Sequence, residues 1–252
     1  MKILLNLSYV GTAYCGYQVQ KNGISIQQKL NEASKALFGF DCDIVGCSRT
    51  DRGVHAKMFC ATVSEKGKSF INSTIPEKSL VQAFNSYLPG DIVAVSARYV
   101  DDSFHARYDV KYKEYLYVIH NAPLPDPFLF GRVWHYQRNI SDEALERMNE
   151  AAKHFVGKHD FSAFMASGSS VSDTVRNIVS AKVLRRGDTI EFYICGDGFL
   201  YNMVRIITGT LVAVAEGRIS PDDIPSIIES KDRSRAGATA PADGLYLNRV
   251  EY

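Results

Sequence analysis

The most informative stretch of this chain reads Ile44-Val45-Gly46-Cys47-Ser48-Arg49-Thr50-Asp51-Arg52-Gly53-Val54-His55-Ala56, and it continues as Lys57-Met58-Phe59-Cys60-Ala61-Thr62-Val63. An apolar pair begins it and an alternating apolar segment ends it, which predicts a loop between two strands. The centre of the loop holds one carboxylate, Asp51, between Arg49 and Arg52. We expect these two guanidiniums to favour the ionised carboxylate. Gly46 and Gly53, on either side of it, permit a left-handed backbone that other residues avoid.

The order of the residues in this loop is more specific than its charge pattern. An Arg-x-Asp-Arg run alone is more typical of a salt-bridged surface turn. The run from Arg49 to Ala56, however, resembles the signature of the tRNA pseudouridine synthase A family, which reads Arg-Thr-Asp-x-Gly-Val-His. In that family the aspartate is the catalytic nucleophile, so the resemblance implies this role for Asp51.

Further strings along the chain resemble motifs of the same family. They are Phe104-His105-Ala106-Arg107, Lys113-x-Tyr115-x-Tyr117, Phe199-Leu200-x-x-Met203-Val204-Arg205 and Gly244-Leu245-Tyr246-Leu247. The resemblance implies that Tyr115 stacks on the target base and that its hydroxyl accepts the C5 proton of uracil. It also implies that Arg205 pairs with Asp51 and that Leu245 packs beneath the bound uracil.

The residues themselves allow plainer readings beside these roles. Tyrosines in an alternating strand, such as Tyr115, usually pack in the core, and Leu245 has the pattern of an ordinary core leucine. Arg205 stands in an apolar helix, where a guanidinium is costly to bury unless it is paired. His105 and Arg107 can donate hydrogen bonds to phosphate oxygens, but bonds to nearby carbonyls suit their turn-like segment equally well.

Arg49 has a separate implied role in binding the substrate. A target base must leave its stack before it can react, at a cost of a few kcal/mol. Arg49 would fill the space that the base leaves. Two positions depart from the family pattern, because Val10 stands where an Asp is usual and Tyr17 where a Trp is usual.

Length and composition set the outer limits. The 252 residues allow one large or two small domains, and the net charge of +1 means that a polyanion must bind to local clusters of Lys and Arg. The five cysteines form no Cys-x-x-Cys pair, which favours free thiols in a reducing cytoplasm. The N-terminus has no secretory pattern, and no apolar run approaches the ~20 residues that span a bilayer.

Periodicity predicts alternating strands and helices in each half of the chain, and therefore an α+β fold. We expect two sheet-forming halves, with helices packed on one side and an active-site cleft between them, in agreement with the pseudouridine synthase fold that the resemblance implies. Residues 1–104 are predicted to form an N-terminal domain carrying the Asp51 loop. Residues 105–252 are predicted to form a C-terminal domain carrying the Tyr115 strand and the Arg205 helix.

The predicted function is the isomerisation of uridine to pseudouridine in the anticodon stem-loop of tRNA, by a cytoplasmic homodimer. The reaction needs no redox partner or energy source, and the sequence has neither a Walker loop nor a dinucleotide fingerprint, so we predict no cofactor. His154 and His159 are too isolated to predict a metal site. Two other classes are alternatives: an RNA-binding module without activity, and a hydrolase, for which the sequence has no Gly-x-Ser-x-Gly elbow.

Overall fold

The computed structural model describes residues 1–168 and 171–252. The strands are β1 (Lys2–Tyr9), β2 (Cys42–Gly46), β3 (His55–Glu65), β4 (Ile92–Val100), β5 (Tyr112–His120), β6 (Trp134–His135), β7 (Gly157–Asp160), β8 (Val175–Arg186), β9 (Thr189–Gly196) and β10 (Leu245–Glu251). The helices are α1 (Ile26–Phe38), α2 (Glu77–Asn85), α3 (Asp142–Lys153), α4 (Met203–Ala215) and α5 (Ile224–Ser230). This mixture of sheet and helix confirms the predicted α+β class.

The chain divides into two compact units. Unit 1 comprises Met1–Lys111 together with Tyr246–Tyr252, and unit 2 comprises Tyr112–Leu245. The boundary after residue 111 lies a few residues beyond the one expected after residue 104, and the C-terminal strand groups with the first unit rather than the second. The reason is a pairing between strands far apart in sequence, since β10 runs parallel to β3 with Tyr246 opposite His55.

The sheet of unit 1 is built around β3. One edge of β3 pairs antiparallel with β1, which in turn pairs antiparallel with β4. The other edge pairs with β10 near its start and with β2 near its end. Helix α1 packs against β2, and α2 packs against β4. Leu5, Leu30, Phe59 and Phe84 are fully buried and form part of the core of this unit.

The sheet of unit 2 has the order β5-β9-β8-β7, all antiparallel, with the short β6 parallel to β5. Helix α3 packs against β8 and α4. Eleven of the thirteen residues of α4 are buried, as expected for its apolar sequence. Phe155, Phe161 and Phe164 are also fully buried, and they meet edge to face within this unit.

The ends of α1 test the capping box that the string Ser25-Ile26-Gln27-Gln28 predicts. Ser25 is the N-cap, and its hydroxyl accepts a hydrogen bond from the Gln28 N–H at 3.2 Å, as predicted. The reciprocal bond, in which the Gln28 side-chain oxygen accepts from the Ser25 N–H, is not formed at this helix end, and the Gln28 side-chain nitrogen donates to Glu32. Gly39 ends the helix with φ 79°, the left-handed conformation expected at this position.

The described ranges, residues 1–168 and 171–252, contain no helix with the length and apolarity that crossing a membrane requires. They also contain no group of three or more His, Cys, Asp or Glu residues placed to hold a metal ion. The five cysteines are all free thiols.

Candidate active site

Asp51 lies in unit 1, on the turn that joins β2 to β3, where the sequence predicts a loop. Its carboxylate is half-buried. Gly53 has φ 81°, the left-handed conformation expected of it. The turn is closed by the Val54 N–H, which donates to the Asp51 carbonyl oxygen at 3.1 Å. The carboxylate is therefore carried on a short, internally bonded segment.

A preceding loop, residues 10–18, packs against this turn. The Tyr17 N–H donates to the Thr50 carbonyl oxygen at 3.0 Å, and the Gly11 N–H donates to His55 Nδ1 at 2.9 Å. A Cβ atom on Gly11 would lie 2.0 Å from the Val54 carbonyl oxygen, and one on Gly16 would lie 2.6 Å from that of Thr50. Only glycine permits these approaches, so the two loops fix each other's backbone.

Two neighbours of Asp51 in sequence, Thr50 and His55, each contact an aromatic residue of another segment. The Thr50 and Tyr9 hydroxyls are hydrogen-bonded at 2.8 Å in a buried position. His55 is fully buried, and its ring stacks on Tyr246 with centroids 4.6 Å apart. Arg49 is exposed, so its guanidinium is accessible to a polyanion from solvent. The turn thus combines a rigid backbone with an accessible cation.

Gly46 has a different role from the predicted one. Its backbone is not in the left-handed region. A Cβ atom there would lie 2.6 Å from the Tyr17 ring and 2.7 Å from that of Phe59, so glycine makes room for two packed aromatic rings. The position of Gly46 beside Asp51 in sequence suggests a left-handed backbone. The structure instead requires glycine there because the Tyr17 ring, from a loop distant in sequence, packs against it.

Tyr115 lies in unit 2, on β5 opposite Ile194 of β9. The residue is buried, and its ring meets Phe199 edge to face with centroids 5.0 Å apart. Tyr117, two residues further on, is also buried, and its hydroxyl donates to the Pro241 carbonyl oxygen at 2.7 Å. Burial raises the pKa of Tyr117 well above its ordinary value, with nearby Arg205 acting in the opposite direction. Tyr117 is therefore a neutral structural donor, in keeping with the core reading of this pair.

Arg205 lies in unit 2, in the first turn of α4, and is half-buried. Its Nε donates to the Ala240 carbonyl oxygen at 2.8 Å, and its Nη1 donates to Asn202 Oδ1 at 2.8 Å. The Ala240 N–H returns a hydrogen bond to the Arg205 carbonyl oxygen at 3.1 Å. Backbone and side chain of Arg205 are thus both tied to Ala240.

We call residues 236–241 the strap, because this segment crosses α4 at close range. The Gly237 N–H donates to Thr210 Oγ1 at 2.9 Å. A Cβ atom on Gly209 would lie 1.7 Å from the Ala238 carbonyl oxygen, and one on Gly237 would lie 2.6 Å from the Thr210 Cα. The two glycines allow the backbone contact that brings Ala240 to Arg205.

Leu245 follows the strap and begins β10. It is 6% exposed, which fits a core position and an apolar wall equally well. Gly244, just before it, passes so close to Tyr117 that a Cβ atom would lie 2.6 Å from that ring. This close contact between Gly244 and Tyr117 fixes the position at which β10 begins, at Leu245.

His105 and Arg107 lie in unit 1, on a turn that follows β4. His105 Nδ1 accepts hydrogen bonds from the N–H groups of Arg107 and Tyr108 at 3.1 and 3.2 Å. The rings of His105 and Tyr108 are stacked, and the Arg107 guanidinium lies over the Tyr108 ring. These contacts are local to the turn. Their phosphate-binding role stays a prediction.

Sequence reasoning assigned no role to Asn202, Gly11, Gly16 or the strap. Asn202 carried one signal, since Asn is a frequent N-cap residue and here it stands three positions before Arg205. The contacts of Gly11, Gly16 and the strap depend on chain segments far apart in sequence, which no local pattern reveals.

Comparison with known proteins places the chain among RNA-modifying enzymes. A family model described as tRNA pseudouridine synthase matches residues 151–252. The tRNA pseudouridine synthase A of Acetivibrio thermocellus is 46% identical over 250 residues, which is 99% of each chain. Those of Thermoanaerobacter sp. and Clostridium acetobutylicum are 43% and 40% identical over the same length, with the same coverage.

A chain from the crystal structure of a Cbf5–Nop10–Gar1 complex aligns with 97% of this chain and 48% of its own length, at 12% identity and a TM-score of 0.39. Similarity at this level adds nothing to the assignment. The sequence relatives decide it, because the identities are high and extend over nearly the whole length. This chain belongs to the tRNA pseudouridine synthase A family.

Proposed function

We propose that this protein isomerises uridine to pseudouridine in the anticodon stem-loop of tRNA, with Asp51 as the nucleophile. The reaction breaks the bond between N1 and C1′, rejoins the base through C5, and moves one proton from C5 to N1. No atom is gained or lost and no electron is transferred. The observation that carries the proposal is the family signature around Asp51, on a turn whose backbone is bonded from both sides.

Asp51 can act in more than one way. A held, ionised carboxylate can attack C1′, attack C6 of the base, or remove a proton from the ribose. All three need a negatively charged oxygen in a fixed place, and a rigid turn provides that without reorganisation. Asp51 supplies the same held carboxylate in each of the three routes.

Three residues of unit 2 are proposed to act on the same uridine. Tyr115 stacks on the base and its hydroxyl accepts the C5 proton, whereas Tyr117 is already committed to Pro241. Arg205 keeps the catalytic carboxylate ionised. Leu245 packs beneath the uracil ring.

The tRNA is proposed to bind through local positive charge, because the net charge of the chain is only +1. Arg49 fills the space left by the unstacked base, and His105 and Arg107 contact phosphates. The protein is proposed to work as a homodimer in the cytoplasm, as the family resemblance implies.

The decisive experiment replaces Asp51 by Asn and maps pseudouridine in tRNA incubated with each enzyme. Asp51→Asn keeps the size of the side chain but removes its charge, so product formation is expected to fall by at least ~10³-fold. Binding of tRNA is expected to persist, because the phosphate contacts are untouched.

The matched control is Asp41→Asn, which makes the same change at an exposed carboxylate paired with Lys35. This variant is expected to modify tRNA at the wild-type rate. Retained turnover by Asp51→Asn would refute the nucleophile assignment. A wild-type protein that binds tRNA but forms no pseudouridine would instead be the RNA-binding module considered from the sequence.

A further inference from the structure

Asn202 adopts an unusual backbone conformation immediately before α4. It has φ 59° and ψ 8°, in the left-handed region. Among the described residues only Lys231 shares a positive φ without being glycine. Glycine adopts this conformation at no steric cost, and asparagine tolerates it better than most other residues.

The side chain of Asn202 does not do what an N-cap asparagine usually does. Its oxygen would ordinarily accept a hydrogen bond from a backbone N–H in the first turn of the helix. Here it makes no such bond. The oxygen instead accepts from Arg205 Nη1 at 2.8 Å. The carboxamide oxygen of Asn202 therefore bonds a side chain of the first turn rather than a backbone N–H.

This bond acts together with the strap on a single guanidinium. Asn202 holds Nη1 and the Ala240 carbonyl oxygen holds Nε, each at 2.8 Å. Two bonds to different nitrogens fix the plane of a rigid, planar group, and bonds to a charged donor are stronger than neutral ones. Asn202 and Ala240 thus both constrain the direction in which Arg205 presents its charge.

We propose that Asn202 is a positioning residue, whose carboxamide oxygen sets the orientation of the Arg205 guanidinium that catalysis requires. The proposal rests on the proposed function. If only the left-handed backbone mattered, glycine would suit position 202 better than asparagine, because glycine has no Cβ atom to clash with its own backbone. The residue present instead supplies an oxygen to Arg205.

Two substitutions separate the side chain from the backbone. Asn202→Gly keeps the left-handed conformation and removes the oxygen, whereas Asn202→Ala removes the oxygen and strains the backbone as well. We expect both variants to lose roughly tenfold in kcat, with the KM for tRNA nearly unchanged. Thermal unfolding is expected to be unchanged or raised for Asn202→Gly and lowered for Asn202→Ala.

Assaying Asp51→Asn beside these variants distinguishes failure of the positioning role from failure of the proposed function. If Asn202→Gly matches the wild type in kcat while Asp51→Asn is inactive, the positioning role is refuted and the proposed function stands. A loss confined to Asn202→Ala and matched by its lower unfolding temperature also refutes it, because only the backbone then matters. An active Asp51→Asn refutes the proposed function itself.

Discussion

Tyr17 shows how much one buried polar atom matters. The residue is 3% exposed, its ring stacks on Phe59 with centroids 4.3 Å apart, and its hydroxyl has no hydrogen-bond partner among the residues that the structure describes. Burial raises the pKa of Tyr17 far above its ordinary value, and Cys47 adds to the effect, so the hydroxyl stays neutral. The ring contributes to packing, while the oxygen is desolvated without compensation.

Replacing Tyr17 by Phe is therefore expected to stabilise the protein. The change keeps the stacked ring and removes the unsatisfied hydroxyl, which should raise the free energy of unfolding by about 1 kcal/mol. Denaturant titration of the wild type and the variant measures this difference.

The control for Tyr17 is Tyr9→Phe, because the Tyr9 hydroxyl is hydrogen-bonded to Thr50 at 2.8 Å. That change should instead lower the free energy of unfolding by about 1 kcal/mol. Equal losses in both variants would show that the Tyr17 hydroxyl has a partner.

At the scale of elements, Asp160 joins several segments of unit 2 at the end of β7. Its Oδ1 accepts hydrogen bonds from the Ser162 N–H at 3.1 Å and from Thr174 Oγ1 at 2.6 Å. Its Oδ2 pairs with Lys231 at 2.8 Å, at the C-terminal end of α5. Burial opposes ionisation, but the bonds from Lys231, Ser162 and Thr174 together lower the pKa of Asp160 well below its ordinary value.

Asp160→Asn is expected to cost about 1 kcal/mol of unfolding free energy at neutral pH, allowing for partial solvent screening. A folded-state pKa below the unfolded value means that the ionised carboxylate stabilises the fold above about pH 4. That stabilisation is lost as the pH falls through the lower folded-state pKa. The gap between wild type and variant should therefore shrink below about pH 4, as measured by denaturant titration across pH.

The control for Asp160 is Asp188→Asn, at an exposed turn. It should change stability by less than about 0.5 kcal/mol at any pH. A gap for Asp160→Asn that does not vary with pH would show that the ionisation of this carboxylate is not coupled to folding.

Elements with a strong local pattern could be predicted from the sequence. The alternation of residues 2–9 gave β1, and the apolar run beginning at Met203 gave α4, with the bounds observed. The Ser25 cap was also predictable, because a cap bonds to its own helix. The orientation of Arg205 was not, since it depends on a left-handed Asn202 and on a strap some 35 residues away in sequence.

At the scale of the whole molecule, the chain returns to its first unit only at its end. β10 pairs with the start of β3, directly after the Asp51 turn. Tyr246 stacks on His55, and the Tyr252 hydroxyl donates to the Ala106 carbonyl oxygen at 2.8 Å. The repeated strand–helix pattern could not predict this return, because alternation shows which face of a strand is buried and not which strand it joins.

The return gives the C-terminal strand a defined role in unit 1, which Leu247→Ala tests. Leu247 is fully buried and lies opposite Ala56 of β3. Truncating it should cost about 2–4 kcal/mol, because a buried cavity remains. Hydrogen exchange should show the loss of protection in β1 and β3 of unit 1, while β8 and β9 of unit 2 keep theirs.

Arg249→Ala is the control on the same strand, since that side chain is 63% exposed and its loss should cost less than about 0.5 kcal/mol. Loss of protection in β8 and β9 with none in β1 and β3 would refute this role of β10 in unit 1.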